Sequence, residues 1–212
     1  MSILSQLSSQ VQDKTEASNR SVAEMCLKDP KLLHEVKQGF TAKDRKLQAD
    51  SAEVFTFVAE SNPEAVAPFA SDIVELLQSK ETKTRWEAAH TLAIIAQHIP
   101  ETVESILPDL EQLIERDKST IVIDYATETI ANYAACSPQT AQKAFPALKK
   151  VLDIWGEKHA KQVLNGFDAI LATNPKLSDE IFRITESYQL AQKKVVAKLA
   201  TQLLKKWQKN SK

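Results

Sequence analysis

Apolar residues recur at helical intervals along most of the chain. Val103, Ile106, Leu107, Leu110, Leu113 and Ile114 keep the i, i+3, i+4, i+7 spacing of an amphipathic helix, as do Ala141, Ala144, Phe145, Leu148, Val151 and Leu152. Between such stretches runs a second helical pattern whose apolar side is smaller in volume. In one copy Ala88, Ala89, Leu92, Ile95 and Ala96 share a side, and in the next Val122, Ala126, Thr129, Ile130 and Tyr133 take similar places. Small residues there allow neighbouring helices to approach closely. We denote the first pattern helix A and the second helix B. B copies are predicted over residues 43–60, 81–98, 119–135 and 158–173, with a final B-like helix over about 190–208 that carries Val196, Leu199, Leu203, Leu204 and Trp207.

Proline sets the period of this alternation. SNPEAVAPFASDIVELL from Ser61, HIPETVESILPDLEQLI from His98, CSPQTAQKAFPALKKVL from Cys136 and TNPKLSDEIFRITES from Thr173 align on Pro63, Pro100, Pro138 and Pro175, at spacings of 37, 38 and 37 residues. An earlier, shorter copy begins at Pro30. Each of these prolines falls where helix A should start, and the first turn tolerates proline because the missing N–H would have no partner there. Second prolines at Pro108 and Pro146 share an offset of eight residues.

A two-helix unit of this length cannot bury both apolar faces alone, so the units are expected to stack. The predicted fold is all-α, a right-handed α-α superhelix of about four to five helix pairs. Its expected parts are an N-terminal helical cap over residues 1–29, repeats over 30–187, and a basic C-terminal capping helix and tail over 188–212.

Composition supports the helical reading and removes several functions. Only 3 of 212 residues are Gly, too few for a sheet with many tight turns. Gly39, Gly156 and Gly166 cannot supply either Gly-rich phosphate loop. Cys26 and Cys136 are isolated, so a disulfide framework or zinc site is not expected. No signal peptide or membrane span is read from the sequence, and a cytoplasmic location is expected. The net charge of −1 conceals an uneven distribution: from Ser187 onward there are seven Lys and no acid, whereas residues 1–186 hold 20 bases and 28 acids. The body is acidic and the last helix basic.

The segment from Lys80 to Asp117 resembles a HEAT repeat. Leu107-Pro108 and Leu113-Ile114 match that family's first helix, Asp117 its loop acid, and Thr84-Arg85, Ala88-Ala89 and Leu92 its second helix. Val122-Ile123 and Leu47-Gln48 lack the Arg that Arg85 supplies, so a ladder of Arg–Asp pairs would be incomplete. The resemblance implies a helical solenoid whose B helices line a concave side, and protein–protein scaffolding as the commonest family use.

On that implication, the binding residues would be those of B opposite the core. Taking Ala88, Leu92, Ile95 and Ile99 as inward leaves Lys83, Glu87, His90, Ile94 and Gln97 outward. The preceding copy offers Lys46, Asp50, Glu53, Phe57 and Glu60, the third Ile121, Tyr125, Glu128, Asn132 and Ala135, and the fourth Lys158, Gln162, Asn165, Ala169 and Ala172. The candidate partner-binding set is Glu53, Lys83, Trp86, Glu87, His90, Asp124, Glu128, Asn132 and Asn165. Its mixed character, with acids foremost among the charged groups, favours a basic or amphipathic protein or peptide; a merely solvated helix face is the competing reading. Charge reversal at Glu53 and Glu128 is expected to weaken a partner without unfolding the chain.

Other chemistry is sparse. His34, His90, His98 and His159 form no i, i+4 pair, so neither a metal nor a cofactor is expected. Trp155 and Trp207 are in phase with core positions. Trp86 and Asp124, at matching positions one repeat apart, are the one hint of a HEAT-like DNA glycosylase site, which keeps nucleic acid as an alternative partner; the acidic body opposes phosphate binding. A dimetal site resembling that of deoxyhypusine hydroxylase would need several His-Glu pairs, and only His34-Glu35 occurs. No catalytic residues are assigned. Lys194, Lys198, Lys205 and Lys206 mark a basic C-terminal surface suited to nucleic acid or anionic lipid, or to capping alone.

Overall fold

The computed structural model describes residues 2–210 and contains helices and turns but no strand among them. Met1 of the expected cap, and Ser211 and Lys212 of the expected tail, lie outside the described residues. The chain divides into two compact units, Met1–Thr102 and Val103–Lys212.

In the first unit α1 (Ala17–Lys28) follows a looped segment that Asp13 organises. The Asp13 carboxylate accepts hydrogen bonds from the backbone N–H and hydroxyl groups of Thr15 and Ser18, which hold its carboxyl well below the usual range. The first A copy is broken into a 3-10 turn (Pro30–Leu32), α2 (Leu33–Val36) and a second 3-10 turn (Lys37–Thr41). Helix α3 (Arg45–Ser61) is its B partner. The next A copy is α4 (Pro63–Val66), a 3-10 turn holding Pro68 (Ala67–Phe69), and α5 (Ala70–Leu76); its B partner is α6 (Thr82–Ile95). Helix α3 packs between α1 and α6. Phe55 stacks against Phe40 and Phe69 at centroid distances of 4.8 and 5.2 Å, joining both A copies to the B helix.

The second unit has longer, less interrupted helices: most of α7 (Pro100–Arg116), then α8 (Thr120–Ala134), α9 (Pro138–Trp155), α10 (Ala160–Thr173), α11 (Ser178–Ser187) and α12 (Lys194–Asn210). Pro63, Pro100 and Pro138 each open an α-helix, and Pro30 and Pro175 each open a 3-10 turn, as the repeat alignment predicts. Pro108 and Pro146 instead lie inside α7 and α9. Both are exposed, so the carbonyl four residues earlier that loses its partner lies on the solvent side. The B helices agree with the predicted spans except at two ends. A 3-10 turn (Ala96–His98) completes the second copy, and α12 starts at Lys194 because 3-10 geometry ends at Leu190.

Close helix approach is clearest at Gly166 of α10. A Cβ there would stand 2.6 Å from Leu148 Cδ1 on α9 and 3.0 Å from Ala131 Cβ on α8. Trp155 fastens α9 to α7 by donating its indole N–H to the Ile114 carbonyl at 3.0 Å, a last-turn carbonyl without a partner in its own helix. Trp155→Phe keeps most of the ring packing and removes that bond, so urea denaturation should register a loss of about 1 kcal/mol.

Candidate partner-binding surface

Helices α8 and α10 of the second unit pack side by side and leave a polar furrow between them. Glu128 and Asn132 from α8 face Lys161, Gln162, Asn165 and Ala169 from α10 around a cavity of about 170 Å³. Three expected binding residues, Glu128, Asn132 and Asn165, are thus brought together. Burial raises the Glu128 carboxyl above its ordinary range, Lys161 opposes the shift, and Asp124 adds to it. Asp124 itself is engaged: its Oδ1 lies 2.6 Å from Nδ1 of the buried His159, whose ring packs edge-on against Trp155. That contact anchors the start of α10.

The first unit departs from the expected arrangement. The sequence pattern places Glu53 on the solvent side of α3, yet it is only 6% exposed. Asn19 of α1 donates to Glu53 Oε2 at 2.6 Å, and Lys83 Nζ lies 3.1 Å from Glu53 Oε1. The Ser9 backbone N–H donates to Asp50 at 2.7 Å, and Ser8 N–H to Asn19 Oδ1 at 2.8 Å. Every residue from Ala49 to Thr56 is buried, because α1 and the segment before it cover the side of α3 that one amphipathic stripe would leave to water. This overturns the expectation that Glu53 can be reversed without disturbing the fold.

Glu87 is the second correction. It is 4% exposed, on the flank of α6 that packs against α3. Its Oε2 is 2.8 Å from the Thr56 hydroxyl, which is 2.9 Å from that of Thr91. Burial pushes the carboxyl up to about 7; the Thr56 hydrogen bond and Lys83 oppose the rise, while Glu53 reinforces it. What remains accessible on α6 is Thr82, Lys83, Arg85, Trp86, His90 and Ile94, of which Lys83, Trp86, His90 and Ile94 form an arc at i, i+3, i+7 and i+11. His90 is half-buried, and burial lowers its imidazole pKa. Beside this arc, residues 8–16 and the starts of α3 and α6 enclose an open groove of about 840 Å³ with Asp13, Lys14, Arg45, Lys46, Glu81 and Lys83 at its rim.

Sequence reasoning missed Asn19, Thr56 and Thr91. The available signal was a run from Ala49 to Val54 in which Asp50 and Glu53 are flanked by Ala, Ser and Val, a pattern that fits a helix covered on several sides. On α12, Lys206 turns aside to Asp168 at 2.7 Å, and the Trp207 indole N–H donates to the same carboxylate at 2.8 Å. Lys194, Lys198 and Lys205 are exposed. Among the described residues no three His, Cys, Asp or Glu side chains converge as a metal ion would require. Nor is any helix among them long and apolar enough to cross a membrane.

No protein-family model matches the chain, and no curated protein matches it. Solved structures do. A designed armadillo repeat protein superposes with a TM-score of 0.68 at 21% identity, covering 96% of this chain and 97% of the other. Another, in complex with the peptide (KR)4, gives 0.71 at 20% identity over the same shares. A third, computationally designed for modular peptide recognition, gives 0.67 at 21% identity, again over 96% and 97%. The chain is therefore an all-α repeat solenoid of the armadillo type, the class of fold that its HEAT-like repeat implies.

Proposed function

We propose that this chain is a non-catalytic protein-interaction module that binds a peptide segment of its partner through the furrow between α8 and α10. The observation that carries this reading is the pairing of Asn132 and Asn165 across one furrow with Glu128 beside them. A carboxamide offers two donors and an acceptor, enough to meet both the N–H and the C=O of a peptide bond. Packed helix axes lie about 8–10 Å apart, which is two to three residues of extended chain at roughly 3.3 Å each. Two such amides can therefore address peptide bonds two to three residues apart, while Glu128 receives a cationic side chain. The likeness to repeat proteins solved with or designed for peptides is in keeping with this reading.

The test is a fluorescence-anisotropy titration with a labelled peptide of alternating Lys and Arg. Saturable binding is expected, weakened roughly tenfold by Asn165→Ala, the size of one or two lost hydrogen bonds. Glu128→Gln should weaken it further and flatten its salt dependence. Binding indifferent to both substitutions would remove the furrow from the mechanism. Duplex and single-stranded DNA form the control arm; tighter, more steeply salt-dependent binding to either would favour nucleic acid as the partner.

A further inference from the structure

Helix α12 presents a surface that the peptide furrow does not use. Lys194, Lys198, Lys205 and Lys209 stand at i, i+4, i+11 and i+15, and all four are exposed. At 3.6 residues per turn they fall within about 60° of one another, and the row extends about 22 Å along the helix. The opposite side of the helix, with Val196, Ala200, Leu203, Leu204 and Trp207, is buried against its own unit, so the row is held in a fixed direction. The Glu157 carboxylate accepts the backbone N–H groups of Gln192 and Lys193 at 2.9 Å each and pins the start of the helix. Lys206, on the flank, is neutralised by Asp168. Among the described residues no carboxylate pairs with the four lysines of the row, and no acid occurs from Ser187 onward.

Two apolar side chains adjoin one end of this row. Leu190 is 91% exposed and Val195 59%. We propose that the lysine row of α12, with Leu190 and Val195 at its start, docks the protein on an anionic lipid surface. Charge complementarity requires a polyanion, and two features select a membrane over a nucleic acid. A straight row on one helix meets a planar array of headgroups along its whole length, whereas wrapping a nucleic acid would bring it against the rest of its own unit, residues 103–186, which hold 13 acids and 9 bases. The exposed Leu and Val gain by entering the interfacial layer, and a phosphodiester backbone offers them nothing comparable. The buried apolar side of α12 is committed to the core, so the attachment is peripheral and reversible.

The experiment is flotation of the full chain with phosphatidylcholine–phosphatidylserine vesicles, with phosphatidylcholine alone as the reference. Binding to the anionic vesicles only is expected, and it should fall steeply with added salt. Lys198→Gln/Lys205→Gln, with an unchanged circular-dichroism spectrum, should bind about 30-fold more weakly, the loss of two lysines near an anionic surface. Lys28→Gln/Lys31→Gln alters net charge equally and should float like the parent. Leu190→Gln/Val195→Gln should weaken flotation while leaving any affinity for duplex DNA unchanged. Failure of the parent chain to float overturns the proposal, as does flotation unaffected by the α12 lysine pair. Insensitivity to Leu190 and Val195, combined with release of the protein from vesicles by duplex DNA, would reassign the row to nucleic acid.

Discussion

Glu53→Lys is expected to destabilise the protein by about 3–5 kcal/mol, enough to abolish much of the cooperative transition of the first unit in urea. The carboxylate is nearly inaccessible, and each oxygen has a partner, Asn19 on one side and Lys83 on the other. Reversal would place an ammonium group against the Lys83 cation and against the N–H side of the Asn19 amide. Lys83 is itself partly exposed, so the lost ion pair is the smaller part of the effect. The larger part is a buried charge without an acceptor, together with an Asn19 amide stripped of its partner. Glu53→Gln separates these contributions, because its carbonyl oxygen can still accept from Asn19; it should cost about 1–2 kcal/mol. Glu128→Lys, at a half-buried site beside the furrow, should change stability by less than about 1 kcal/mol. If Glu53→Lys and Glu128→Lys unfold at the same urea concentration, the role assigned to Asn19 is wrong.

This contrast marks where the sequence is informative. The period of Pro63, Pro100, Pro138 and Pro175 locates helix starts because proline's fixed geometry acts locally, and the alternation of bulky and small apolar stripes follows from how helices must stack. The outward placement of Glu128, Asn132 and Asn165 was legible because it follows from the core residues of their own helices. Asp50, Glu53 and Glu87 were misplaced because their surroundings are not local. A helix read alone has one buried side, yet α3 is covered by α1 and by α6, and α6 loses a further flank to α3. Nothing in the pattern of α3 itself says that residues 34 positions earlier supply the amide that holds Glu53. The lysine row of α12 was visible as composition, but the separation of Lys206 from it depends on Asp168, 38 residues away.

The buried carboxyl of Glu87 should make stability depend on pH in the direction opposite to most acids. Its folded-state pKa is raised from 4.5 to about 7, with burial as the largest cause. Between those two values the folded chain retains a proton that the unfolded chain has released, so stability falls as pH rises and levels off above about 7. A shift of this size corresponds to about 3 kcal/mol across the window. Below it, the neutral carboxyl accepts from the Thr56 hydroxyl at Oε2, and the Thr56 and Thr91 hydroxyls complete a neutral buried network. Above it, a carboxylate with one hydroxyl donor stands near Glu53, and only the charge of Lys83 offsets their repulsion. Glu87→Gln imitates the protonated form at every pH. Urea denaturation at pH 5 should therefore find the variant and the parent close in stability, and at pH 8 the variant should be the more stable by about 2–3 kcal/mol. The difference should develop progressively between about pH 4.5 and 7. Parallel profiles for the two proteins across this range would mean that Glu87 titrates normally, and that water reaches the space between α3 and α6.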